Sequence, residues 1–211
     1  MLFFTADTHF NHRNIIQFCQ RPFGIDEIEE MNATMIDAIN ARVGKKDELW
    51  HLGDFGLHLK DQDVKEFLAC LNCKHIGLIV GNHDHTRHGA MFAHCYQAHV
   101  VKWNHQSFYL SHYPLRAWRE HFQLHGHEHG RMAPLVGQLD VGVDGPEGLN
   151  SGKQPFGTPW SVEEVIEYVQ RRDRDRIIKD ACKQRHGDNL IVGGYGPAEE
   201  GNGSVAGGDG C

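Results

Sequence analysis

The chain has 211 residues, 40% of them hydrophobic and 23% charged, with a formal net charge of -7 and 17 histidines. That length and apolar content suffice for one buried core, and the negative balance argues against the basic patch of a broad nucleic-acid-binding surface. No run approaches the stretch of about 18 apolar residues that crosses a membrane, and residues 2–6 are too few for a signal-peptide core, so a soluble, cytoplasmic protein is expected.

Leu2-Phe3-Phe4-Thr5-Ala6 reads as a short buried strand and runs directly into Asp7-Thr8-His9. Between Asp26 and Arg42, Ile28, Met31, Met35, Ile36 and Ile39 recur at helical spacing, with Gly44 beyond as a stop. A second strand, Glu48 to Leu52, runs into Gly53-Asp54. Asp61 or Asp63 can cap the helix that carries Val64, Phe67, Leu68 and Leu71 toward Cys73. Cys70 and Cys73 then sit at the end of a packed helix, and no second C-x-x-C completes a zinc site. The six cysteines form no regular disulfide framework.

A third strand, Ile76 to Val80, runs into Gly81-Asn82-His83-Asp84. Closely spaced strands follow between Val100 and Val143, with room for a helix only near Arg116 to His121. Two of these strands end in ligand residues: Phe108 to Ser111 before His112, and Phe122 to His125 before Gly126-His127-Glu128-His129. Ser161-Val162-Glu163-Glu164 is a capping-box start, and Val162, Val165, Ile166 and Val169 form the stripe of the helix it opens. The alternating charges from Arg171 to Arg176 read as a solvated helix face, and from Gly187 a Gly-rich sequence predicts a disordered tail. The pattern predicts an α/β domain over residues 1–180, built of two packed sheets with helices outside, and a tail over 187–211.

Five apolar runs therefore each end in a metal-ligand residue, and in open α/β sheets ligands bind beyond the carboxyl ends of strands. Carboxylates, an amide and imidazoles suit Mn2+, Fe, Zn2+ or Mg2+ better than soft ions. Asp7, His9, Asp54 and His129 can hold one ion, and Asp54, Asn82, His112 and His127 a second, with the Asp54 carboxylate bridging.

The order D-x-H, G-D, G-N-H-D, a lone His and G-H-x-H, from Asp7 to His129 with flanking sequence to about Trp160, resembles the calcineurin-like metallophosphoesterases. The resemblance implies a four-layer α/β/β/α sandwich with two mixed sheets, the ligand set just given, a metal-bridging hydroxide as nucleophile, and His83 acting on the leaving group. Two divalent ions, Mn2+ first and Fe, Zn2+, Mg2+ or Ni2+ as alternatives, would attract a phosphate and acidify water. The expected substrate is a small phosphorylated molecule or nucleotide, with phosphodiesters slightly favoured over phosphomonoesters. A non-catalytic interaction module of the same fold is disfavoured because no ligand is replaced. An HD-type hydrolase is disfavoured because its ligands lie on helices.

The pattern departs from the family at two positions. Phe10 follows D-x-H where the family often has Gly, which predicts a narrower pocket. Leu57 stands where a carboxylate often orients the catalytic imidazole, so His83 lacks that partner. Arg13 and Asn14 are the substrate-contact candidates, since a guanidinium matches phosphate bidentately. His51 and His125 each precede a metal motif by two residues and are placed behind the ligands.

Overall fold

The computed structural model describes residues 1–145 and 154–188. Contacts group the chain into two units, 1–173 and 174–211. In the first unit, strands β1 (Leu2–Thr5), β2 (Glu48–His51), β3 (His75–Ile79), β4 (His94–Tyr96) and β9 (Trp160–Ser161) form a sheet in the order β4-β3-β2-β1-β9. A second sheet joins β5 (Ala98–Trp103), β6 (Gln106–Ser111), β7 (Phe122–His125) and β8 (Gln138–Asp140) in chain order. Among the described residues only the β1–β9 and β5–β6 pairs are antiparallel, so both sheets are mixed, as the α/β reading expected.

Successive strand side chains point to opposite faces, and both faces of the first sheet are covered, which is why its strands read as continuous apolar runs. Phe3 and Leu49 pack with Met31, Met35 and Ile39 of helix α2 (Ile28–Arg42) and Val64 of helix α3 (Asp61–Cys70). Phe4 and Trp50 face the second sheet and pack with Phe108, Leu110, Leu124 and Leu139, joined by Val162, Val165 and Val169. The capping box is present: the Ser161 N–H donates to Glu164 Oε2 at 2.9 Å and the Glu164 N–H to Ser161 Oγ at 3.2 Å. It opens helix α4 (Val162–Asp188), whose residues from Arg174 belong to the second unit.

Several expectations require correction. α3 is entered from Lys60, whose N–H donates to Asp63 Oδ2 at 2.8 Å, so neither Asp61 nor Asp63 stands at the cap position itself. No helix forms over residues 116–121, which make bends before β7. α4 continues through Gly187 to Asp188, and the predicted tail from residue 189 lies outside the described residues. Cys70 is exposed and Cys73 buried, both as free thiols. A short helix, α1 (Ile15–Phe18), follows the first ligand loop.

Phe10 does not narrow a pocket. It is fully buried in the outer core, its ring 4.4 Å from that of Phe67 and 5.1 Å from that of Phe55. Phe10→Ala should therefore cost about 3–5 kcal/mol of folding stability by leaving a cavity. Urea unfolding measures this, and an unchanged midpoint would contradict the placement.

Candidate metal centre

The loops leaving β1 and β2 run side by side. Asp7 N–H donates to Gly53 O at 3.0 Å, His9 N–H to Asp54 O at 3.0 Å and Phe10 N–H to Phe55 O at 2.9 Å. Along them, and in the loop after β7, the donor residues take left-handed backbone: φ is 56° at Asp7, 50° at His9, 57° at Asp54, 70° at His127 and 48° at His129. Asp, Asn and His visit this region more readily than other non-Gly residues, yet such backbone is worth about 1–3 kcal/mol of strain per residue and clusters at functional sites. Two motif glycines are required by close approach. A Cβ on Gly81 would stand 2.3 Å from Asp54 Oδ1, and one on Gly126 2.6 Å from Asp7 Oδ2.

Two candidate ligand groups form where these loops meet, Asp7 with His9 and His129, and Asp54 with His112 and His127, the donor atoms of each lying within 4.8 Å of one another. Asn82 belongs with the second group: its Oδ1 is 3.0 Å from His112 Nε2 and 2.9 Å from His127 Nδ1. Asp54 joins the groups, its Oδ2 lying 3.5 Å from Nε2 of both His9 and His112 while its Oδ1 accepts the His83 N–H at 2.9 Å.

The donor set fits a divalent cation on two grounds. His9 Nε2 is buried with no hydrogen-bond partner, and burial pushes that imidazole down to about 2, so it is neutral with a free lone pair. Asp7 is fully buried, and burial together with the charges of Asp140 and Asp54 pushes its carboxyl well up. A cation beside Asp7 would relieve both features. Burial opposes ionisation of Asp54 too, but the His112 hydrogen bond and charge and the His83 N–H outweigh it and hold the carboxyl low.

Outer partners set the rings. His112 Nδ1 meets Leu52 O at 2.8 Å, His129 Nδ1 meets Asp144 Oδ2 at 2.8 Å, and His9 Nδ1 lies 3.1 Å from His12 Nδ1. Asp84 accepts three main-chain N–H groups, from Asp54, Phe55 and Gly81, at 2.8–2.9 Å, and so clamps the turns after β2 and β3 together. His51 and His125 lie behind the ligands as expected, one against Thr8 Oγ1 at 2.9 Å and the other against Gly126 O at 2.8 Å. His83 is 38% exposed, with Nε2 4.0 Å from Asp54 Oδ2 and its ring 5.3 Å from that of His9. Leu57 donates its main-chain N–H to Phe10 O at 3.2 Å.

Neither substrate-contact candidate is bonded to the two groups. Arg13 is exposed and spends its guanidinium on Asp26 and Ile25 O, and Asn14 is exposed where α1 begins, with no side-chain cap bond. The arginine that serves the centre is Arg21, which is buried and bonds Asp144, Asp7 O and Thr8 O. Sequence reading also missed Asp144 and Tyr113, whose ring lies 4.5 Å from that of His127. The run Asp140-Val141-Gly142-Val143-Asp144 after a strand was a usable signal for Asp144; Arg21 had none.

Arg21→Met should destabilise the fold by about 3–5 kcal/mol, since it leaves Asp144 buried and unpaired. Arg13→Ala should change stability by less than about 0.5 kcal/mol. The Asp144 carboxyl is held low because the His129 and Arg21 contacts outweigh burial. Its contribution is thus present above about pH 3.9 and lost as pH falls through its lower folded value, and Arg21→Met should shrink that acid loss. Denaturant titrations across pH test both statements.

No protein-family model matches the chain. A protein of unknown function from Aquifex aeolicus, AQ665, shares the fold at TM-score 0.58 and 22% identity, over 80% of this chain and 99% of that one. A predicted phosphoesterase from Streptococcus pneumoniae TIGR4 aligns over 67% of this chain and 70% of its own, at TM-score 0.35 and 13% identity, too loosely to carry an argument. The uncharacterized protein MJ1445 of Methanocaldococcus jannaschii is 39% identical over 190 residues, spanning 85% of this chain and 97% of that protein. At that identity and coverage, the chain belongs to the same family as MJ1445.

Proposed function

We propose that this protein is a dinuclear-metal phosphoesterase that hydrolyses a small phosphorylated substrate, a phosphodiester in preference to a monoester. The observation that carries the reading is the shared carboxylate: Asp54 Oδ2 stands 3.5 Å from Nε2 of His9 in one ligand group and of His112 in the other. The ordered motifs from Asp7 to His129 resemble those of the calcineurin-like metallophosphoesterases and support the same conclusion. Asp7, His9, His129 and Asp54 would hold one ion, and Asp54, Asn82, His112 and His127 the other, with Mn2+ the first choice. When bound, two such ions polarise phosphoryl oxygens and bring the pKa of a coordinated water near neutrality.

The chain's own residues supply the rest. Hydrolysis adds water at phosphorus and breaks the P–O ester bond, so the departing oxygen needs a proton. His83 is the half-exposed imidazole at the centre, its main chain anchored by an N–H bond to Asp54 Oδ1, and we assign the ring that donation. With Arg13 engaged elsewhere, the groups beside the ligands that can meet substrate are His12, whose ring is 5.0 Å from that of His9, and Tyr113 beside His127. Burial and the neighbouring His83 push His12 down to about 4, so near neutral pH it is an uncharged hydrogen-bonding group, not a cation.

Reconstitution with Mn2+ and assay of an aryl phosphodiester and an aryl phosphomonoester side by side tests the proposal, with Asp54→Asn as control. The variant should lose turnover and metal together; full turnover with both ions retained would refute the bridging role. His83→Ala should slow turnover by about 10²–10⁴ at unchanged metal content. That deficit should shrink as the leaving group becomes more acidic, and a constant deficit would remove the proton-donor assignment.

A further inference from the structure

Asp144 Oδ2 lies 2.8 Å from His129 Nδ1 and 2.7 Å from an Arg21 terminal nitrogen, while Asp144 Oδ1 takes the Arg21 Nε–H at 3.1 Å. All three groups are at least largely buried, the side chains of Arg21, Asp144 and His129 being 0%, 3% and 13% exposed. An ionised carboxylate only accepts hydrogen bonds. The contact therefore requires a proton on His129 Nδ1, which in the neutral ring leaves the lone pair on Nε2. Building on the metal reading above, we infer that Asp144 is a positioning residue that fixes His129 as the Nδ1–H tautomer and so presents Nε2 as a metal donor.

Three features single out Asp144 for this role. A neighbouring carboxylate, Asp140, is spent on main-chain donors, with Oδ2 taking the Gly130 N–H at 2.9 Å and Oδ1 the Gly142 N–H at 2.8 Å. Arg21 holds Asp144 in a two-pronged ion pair that keeps it ionised and in plane. The same guanidinium donates to Asp7 O at 2.7 Å and to Thr8 O at 2.9 Å, so one cation sets both the loop carrying Asp7 and His9 and the carboxylate orienting His129. The Cys19 thiol, which burial and the charge of Asp144 push up to about 12, also lies within 4.8 Å of the donor atoms of His129 and Asp144.

The test is long-range ¹⁵N–¹H correlation of the imidazoles in the metal-free full chain, with the His129 signals identified by their loss in His129→Gln. The wild-type ring should be Nδ1–H. Asp144→Asn, whose amide offers either a donor or an acceptor, should lose that preference. A Mn2+ titration of the variant should show one of two sites weakened by about 10–100-fold with the other retained. An Nε2–H ring in the wild type, or an unchanged tautomer and Mn2+ affinity in the variant, overturns the inference. If the variant does not fold, the wild-type tautomer decides alone. A wild-type chain with an Nδ1–H ring that takes up no Mn2+ overturns the metal reading of the preceding section and leaves the tautomer assignment standing.

Discussion

Four buried carboxylates, Asp7, Asp54, Asp140 and Asp144, share one corner of the fold with the buried guanidinium of Arg21, and the rest of the site is arranged around keeping that charge tolerable. A buried charge is costly unless hydrogen bonds replace the lost water. Here the main chain supplies most of them. Asp7 accepts the His127 N–H, Asp54 that of His83, Asp140 those of Gly130 and Gly142, and Asp84 at the margin accepts three more. Delivering so many N–H groups to side-chain oxygens demands kinked loops. The left-handed backbone at the ligand residues and the motif glycines, which leave no room for a Cβ, follow from that demand.

The centre also depends on the union of the two sheets. Asp7, Asp54 and Asn82 come from loops after β1, β2 and β3 of one sheet, whereas His112, His127 and His129 follow β6 and β7 of the other. Neither sheet holds a complete ligand group. The apolar cluster of Phe4, Trp50, Phe108, Leu110 and Leu124 that joins the sheets therefore sets the distance between donors. Buried side chains behind the ligands carry this rigidity to the donors, as Thr8 does by bonding both His51 and Phe55 O.

Local chemistry made much of this legible. A short apolar run followed at once by a turn bearing Asp or His marks a buried strand end with a ligand, and the strands and donors so read from Asp7 to His129 stand where the structure brings two groups together. The capping box at Ser161 was readable for the same reason, because its partners are three residues apart. Weaker cues failed: the stretch 116–121 has helical length but no packed stripe, and it makes bends. Phe10 follows a ligand, yet it belongs to the core with Phe67.

The contrast between Arg13 and Arg21 marks the boundary. Proximity in sequence favoured Arg13, which pairs locally with Asp26 on the surface, while Arg21 pairs with Asp144 across 123 positions and anchors the centre. The sequence by itself determined the strands that end in these turns, the candidate donor residues and their order, because hydrophobic period, turn chemistry and donor type are written within a few neighbouring residues. Only the tertiary structure decided which carboxylate orients His129, which arginine is buried and which way Phe10 turns. The partner of a buried charge or ring is whatever the packed sheets bring against it, however distant along the chain.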